Sequence, residues 1–397
     1  MERPKSITNE EFCAKIELLK AVVEKFDGAA MYLCSEGGMR WLTGKRHQVV
    51  DIKPDTSTTI QAVVHTRTST QPNIVFYSEP WESARVYDII KSGPWNSCGI
   101  EASYGGTLCD FFEPGLICPS WENYREIERA IVSPLAQGVN GNQMDKLQWL
   151  ASESRQALIS IAKAVHVGMT GWEMRTLVYQ TYHERHIELN LVMLGLSGMK
   201  RHLHPVIEDD SVVKDGTVIK IAVGARYFDM FHSATQLVKI GTNPTDREQE
   251  IHRALQEATL VYTDQFQHGT VEKNIYSSLG TIFVDTARKH NLPGFEQSAY
   301  LHHAGGPLSP LGNRDFVISP DGLRPIIALA QFSVNPVDAI EYLKFELQGI
   351  VQPEGAPLIL NEFAWCTDDQ KQKPYYDEMK WNNKNLRLPT IIKNGEQ

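Results

Sequence analysis

Long apolar runs are missing from this sequence. None approaches the roughly 20 residues that a membrane span needs, so no membrane partner is expected. The opening MERPKSITNEEF is polar and charged, unlike a signal or transit peptide. Basic clusters are missing too. The net charge is -9 and the pI about 5.8, with no basic patch, so nucleic acid is not an expected partner. The six cysteines (Cys13, Cys34, Cys98, Cys109, Cys118 and Cys366) show no CxxC spacing. A chain of this length does not need disulfides to fold, and the expectation is free thiols in a reducing cytoplasm. Also absent are GxSxG, P-loop, GxGxxG and HExxH motifs, which removes the direct signatures of nucleophile-elbow hydrolases, nucleotide-binding folds and zincins.

What is present is ordinary globular composition, 42% apolar and 22% charged, over 397 residues. That length accommodates two domains. Residues 8–27 have a helical stripe of Phe12, Ile16, Leu19, Val22 and Val23. Residues 29–34, 59–66 and 73–78 read as strands, with Gly37 and Gly38 turning the chain between the first two. This alternation continues to about residue 133, and SPLAQGVNGNQ (133–143) has linker composition. The reading is an α/β (α+β) fold, with a small N-terminal domain over 1–138 and a larger one over 139–397.

The larger region looks duplicated. A helical stretch at 144–166 breaks at Gly168-Met169-Thr170 and is followed by a second amphipathic helix. About 100 residues later, 247–267 breaks at Gly269-Thr270 and is again followed by one. Strand signals at 217–228, 233–241, 326–336 and 342–353 complete a mainly antiparallel sheet covered by two helix pairs.

Candidate chemistry concentrates in two segments. RHLHP places His202 and His204 on one face of an extended segment, with Pro205 restraining the second, which suits a positioned acid or base. HHAGGPLSPLGNRDF (302–316) combines His302 and His303 with a Gly-Gly pair that lets backbone approach a ligand, then Arg314 and Asp315. Adjacent histidines face opposite ways in extended chain, so only one of the pair reaches a given pocket. Glu208 to Asp210 read as a solvated turn.

Together these segments resemble the pita-bread superfamily of methionine aminopeptidase, proline aminopeptidase, prolidase and creatinase. WLTG (41–44), GMT (168–170), His204-Pro205, the hairpin over 217–241, HHAGG, SVNP and KFELQGIVQPEGAP follow that superfamily's order and spacing. The resemblance implies five ligands for a metal pair. They fall on Ala222, Ser233, His303, Asn335 and Glu346, so three of the five are lost, both aspartates included. Two divalent ions need several anionic oxygens to offset their dehydration. The expectation is therefore no metal and no other cofactor.

Creatinase, the superfamily's metal-free enzyme, is the nearer guide. The resemblance implies His204 as acid/base, His303 as a second catalytic histidine and Arg314 as a clamp for a substrate carboxylate. It places Asn335, Glu346, Thr235, His202 and Ser233 as substrate-binding positions. Creatine itself is not expected, because creatinase's two guanidinium-binding glutamates fall on Thr235 and Asn335. The implied function is a metal-independent hydrolase or lyase cleaving a C–N or similar bond in a small carboxylate-bearing compound. The alternatives are a non-catalytic binding protein and a metallo-aminopeptidase with rearranged ligands, using Asp229 and His232. The resemblance also implies a homodimer, with Arg40, Lys45, Arg46 and His47 near the loop that reaches the neighbouring subunit.

Overall fold

A computed structural model describes residues 7–25, 30–44, 57–65, 73–78, 83–107, 116–117, 141–196, 207–302, 304–308, 316–360, 375–382 and 384–394. The N-terminal region opens with helix α1 (Asn9–Lys25), whose backbone at Glu11 donates to the Thr8 hydroxyl at 3.2 Å. Its predicted apolar stripe is buried as one face of a separate core. Strand β1 (Ala30–Ser35) runs directly into helix α2 (Glu36–Thr43). The expected Gly37-Gly38 turn is thus the first part of a helix. Burial of Met39, Trp41 and Leu42 in the core outweighs the poor helix propensity of the two glycines. Strands β2 (Ser57–His65), β3 (Asn73–Ser78), β4 (Glu101–Thr107) and β5 (Leu116–Ile117) complete a sheet of order β4-β3-β2-β1-β5, and helix α3 (Ser83–Ser92) connects β3 to β4. Pairing is antiparallel within β1-β2-β3 and parallel at both edges.

Cys13 on α1 and Cys98 form a disulfide, with Cα atoms 5.6 Å apart. This corrects the free-thiol expectation for that pair. Eighty-five residues separate them in sequence, so no local spacing could have revealed the pairing.

The C-terminal region starts with helix α4 (Gly141–Ala164), which takes in the last three residues of the expected linker; 133–140 lie outside the described residues. Helix α5 (Gly171–Glu184) follows, started by a capping box of Thr170 and Glu173. Strands β6 (Glu188–Leu196), β7 (Val218–Tyr227), β8 (Met230–Ile240) and β15 (Ile392–Asn394) form a sheet of order β15-β8-β7-β6. The second half repeats the plan. Helix α6 (Asp246–Thr263) has its own capping box, Thr245 with Glu248, and helix α7 (Glu272–Lys289) follows. Strands β9 (Gly306–Pro307), β10 (Gln331–Val334), β11 (Leu347–Ile350) and β12 (Leu358–Ile359) make a sheet of order β12-β11-β10-β9, and β13 (Tyr376–Trp381) pairs with β14 (Lys384–Pro389) as a hairpin.

The expected duplication is visible in matching detail. Gly168 (φ 90°) and Gly269 (φ 83°) occupy equivalent inter-helix turns, in a left-handed conformation that suits glycine. Just after them, Thr170 bridges to Val212 and Val271 to Pro325. Each half packs its helix pair on its own sheet around its own core. No helix among the described residues is long and apolar enough to cross a membrane.

Candidate functional site

The site is built on β7, β8, β10 and β11. Along β7, Ile219, Ile221, Val223 and Ala225 are buried in the core that includes α4 and α5. Period-two alternation then places Lys220, Ala222 and Gly224 on the opposite face. The β7-β8 register sets Ala222 across from Thr235 and Gly224 across from Ser233, so the two hydroxyls share that face.

Glu346, immediately before β11, meets them there. Its Oε1 accepts from the Ser233 hydroxyl at 2.5 Å and from the Ser333 hydroxyl at 3.1 Å, and its Oε2 accepts from Thr235 at 2.8 Å. All four side chains are buried. Asn335, two residues beyond Ser333, is buried as well, and its Oδ1 finds no hydrogen-bond partner among the described residues. Next to this cluster His232 Nδ1 and Gln348 Oε1 are 2.5 Å apart, and Gln331 donates to the Phe231 carbonyl at 2.6 Å.

Of the expected site residues, the fold therefore gathers Ser233 and Thr235 around Glu346. His202, His204, His303 and Arg314 lie outside the described residues. Gly305 and Gly306 were expected to admit a ligand. Instead they admit backbone: a Cβ at Gly305 would strike the Ser333 carbonyl, and one at Gly306 the Phe316 carbonyl.

Of the two residues named for a rearranged metal set, His232 lies next to the Glu346 cluster and Asp229 is held elsewhere. Asp229 is fully engaged between the N- and C-terminal regions. Its carboxylate accepts from Lys146 at 2.5 Å, Lys15 at 3.1 Å and Gln143 at 3.2 Å. Glu11 on α1 takes Lys15 at 2.6 Å and Lys146 at 2.8 Å, and Asn142 donates to it at 2.5 Å. Burial alone would push the Asp229 carboxyl up; the two ammonium groups outweigh it and hold it well below the usual carboxylate range. Burial likewise opposes the Lys146 ammonium, and Asp229 with Glu11 overcomes it and raises that group. Asp338 is also accounted for: it accepts from the backbone N–H of Ile340, Glu341 and Leu343 as a loop-closing turn. Arg40, expected near a subunit contact, is buried and pairs with Glu188 of β6 at 2.6 Å. Lys45, Arg46 and His47 lie outside the described residues.

Sequence reading missed Ser333, the third hydroxyl on Glu346. It also missed Lys220, a lone cation in the apolar run VIKIAV, and Lys344, buried two residues before Glu346. Burial, with Lys344 close by, lowers the Lys220 ammonium to about 8, and Asp338 opposes this only in part. An isolated lysine at the inward position of an otherwise apolar strand was the available signal.

The model of "Metallopeptidase family M24" matches residues 144–313. The fold is that of solved aminopeptidase, dipeptidase and prolidase structures. An Escherichia coli aminopeptidase P structure superposes with a TM-score of 0.64 at 12% identity, covering 92% of this chain and 97% of that one. The dipeptidase PepE of Mycobacterium ulcerans gives 0.61 at 14% identity, covering 91% and 97%. The prolidase of Pyrococcus horikoshii gives 0.61 at 13%, covering 87% and 97%. No curated protein sequence matches the chain.

The pita-bread resemblance implies a metal pair, and the described residues can be tested against it. Ala222 has no donor atom. Ser233 directs its proton to Glu346, and Asn335 is a neutral amide. Both oxygens of Glu346 already accept hydroxyl bonds. One carboxylate so engaged does not offset the dehydration of two divalent ions, and these residues do not fit a dinuclear centre.

Proposed function

We propose that this chain is a metal-independent hydrolase or lyase that cleaves a C–N or similar bond in a small, carboxylate-bearing, amino-acid-like compound. The observation that carries the reading is the Glu346 cluster: hydroxyl donors hold the carboxylate where the resemblance would put metal ions. Chemistry there rests on proton transfer and fixed hydrogen bonds. In this reading His204 is the general acid/base, His303 a second proton carrier and Arg314 the carboxylate clamp. Asn335, Thr235, Ser233, Glu346 and His202 contact or position the substrate. The protein works as a homodimer.

A second reading, a non-catalytic binding protein on this fold, draws on the same loss of ligands at Ala222, Ser233 and Asn335. A turnover screen on N-acyl and amidino derivatives of amino acids and on Xaa-Pro dipeptides, run with and without a chelator, separates the possibilities. The expected result is activity that survives chelation, falls by about 10²–10⁴ in His204→Ala, and shows mainly a raised KM in Arg314→Ala. Activity lost on chelation and restored by divalent metal overturns the metal-independent reading. An unchanged kcat in His204→Ala transfers the acid/base role to His303. Binding of these compounds without turnover favours the second reading.

A further inference from the structure

The Cys13–Cys98 disulfide joins two segments that are already packed together. Cys13 lies on α1, and Cys98 ends the short helical turn Trp95–Cys98. Buried groups dock that turn on the helix: Phe12 and Trp95 pack edge to face at 4.8 Å, and Trp95 Nε1 donates to the Ile90 carbonyl at 2.9 Å. Both rings are buried, whereas the two cysteines are half-buried. A disulfide that reaches solvent is open to attack by an external thiolate, because access is one determinant of exchange. The reduced form is accommodated as well. The Cys98 sulfur lies 3.6 Å from the Asn9 carbonyl oxygen, an acceptor for its thiol proton. The same turn of α1 is also held from its other side. With about 3.6 residues per turn, Cys13 points away from both Glu11 and Lys15, which stand two residues before and after it. Those two enter the buried cluster with Lys146 of α4 and Asp229 of the β7-β8 turn. One turn of helix is thus bonded covalently to the N-terminal region and by ion pairs to the C-terminal region.

We propose that the Cys13–Cys98 disulfide is a redox switch on the docking of the N-terminal region: reduction by a dithiol frees the start of α1 and loosens its ion-pair cluster with α4 and the β7-β8 turn. One thiolate of the dithiol attacks a sulfur of the pair, the S–S bond breaks, and the other cysteine leaves as a thiolate that takes a proton from water. The second thiolate of the dithiol then resolves the mixed disulfide. Two electrons and two protons pass to Cys13 and Cys98, and the dithiol becomes a disulfide. The bond closes a loop whose ends are 85 residues apart, so its loss removes a constraint on how far the two segments separate when their packing opens. Glu11 feels this most, because it lies in the first turn of α1, and helix ends fray first. Asp229 keeps Lys15 and Lys146 in the reduced chain, so the two regions loosen without parting. The switch does not depend on the reaction proposed above.

The test uses the full-length chain, purified with its free thiols blocked by N-ethylmaleimide, then treated with dithiothreitol and returned to oxidised glutathione. Differential alkylation with peptide mapping reports the state of Cys13 and Cys98. Circular dichroism checks the fold, and hydrogen exchange read by mass spectrometry follows the docking. The expected result is a bond in the purified protein that is reduced and re-formed without unfolding. On reduction, exchange should quicken about tenfold or more in the first turns of α1, the start of α4 and the β7-β8 turn, and stay unchanged in α6 and α7. Cys13→Ser should show the faster exchange without dithiothreitol and no response to it. If that variant does not fold, the comparison of oxidised and reduced wild type decides alone. The proposal is overturned if Cys13 and Cys98 are both free in the purified protein, or if the bond yields to dithiothreitol only after the chain is unfolded. It is equally overturned if reduction unfolds the whole chain, which would make the bond a structural staple. Faster exchange confined to residues 95–98, with α4 and the β7-β8 turn unchanged, overturns it too, as does a folded Cys13→Ser that exchanges like the oxidised chain.

Discussion

Two buried polar clusters in this protein solve the same problem in different ways. Between the N- and C-terminal regions, Glu11, Lys15, Lys146 and Asp229 are almost wholly shielded from water, and two cations offset two anions. On the inner face of the C-terminal sheets, Glu346 is equally buried but is offset by three neutral hydroxyls. The first arrangement is complete in itself and ties α1 to α4 and the β7-β8 turn. The second has no cation among the hydrogen-bond donors to its carboxylate. Charge balance therefore distinguishes a cluster that holds regions together from one confined to the C-terminal sheets.

That contrast is sharpest in stability. Lys146→Met leaves Glu11 and Asp229 with Lys15 as their remaining ammonium, and breaking a buried pair in this way costs about 3–5 kcal/mol. Urea unfolding should show this; a loss under about 1 kcal/mol would mean that water reaches the cluster. Thr235→Val, of similar shape, removes one of three donors to Glu346 and should cost about 1.5–3 kcal/mol, the range for hydrogen bonds to charged groups. If it costs as much as Lys146→Met, the two clusters do not differ as described.

Acid separates them further. Asp229 has its folded-state pKa depressed, so its contribution is fully present above the unfolded value of about 3.9 and is lost as pH falls from there towards the lower folded value. Melting temperature should drop below about pH 4, and Asp229→Asn should flatten that drop while lowering stability at neutral pH. An unchanged acid profile in this variant would remove Asp229 as the responsible group. The smallest expected signal concerns metal. Elemental analysis of purified protein should give less than one divalent ion per chain, and about two would overturn the account of Ala222, Ser233 and Asn335.

Much of this architecture is legible from pattern alone. The stripe of α1, the paired helices with their Gly168 and Gly269 turns, and the hairpin β7-β8 all have periodicities that tertiary contacts reinforce. Elements were missed where long-range packing overrides local preference. Gly37 and Gly38 enter α2 because Trp41 and Leu42 need burial, and β13, β14 and β15 depend on partners far away in sequence. At the site, Ser233, Thr235 and Glu346 could be placed by superfamily spacing, whereas Ser333 and Lys220 could not. Their significance arises from which strands lie side by side, and single-strand alternation does not report that. The Cys13–Cys98 bond was hidden for the same reason.

The interdomain cluster also constrains how this sequence can drift. Glu11, Lys15, Lys146 and Asp229 come from three distant stretches of chain, yet each is tolerable only while the others keep their charge. A single neutral substitution passes through an unbalanced, less stable protein, whereas a matched loss of one cation and one anion does not. Inheritance at these four positions should therefore be correlated in opposite-charge pairs. The N-terminal region cannot be exchanged for a relative's without carrying Glu11 and Lys15 along with it.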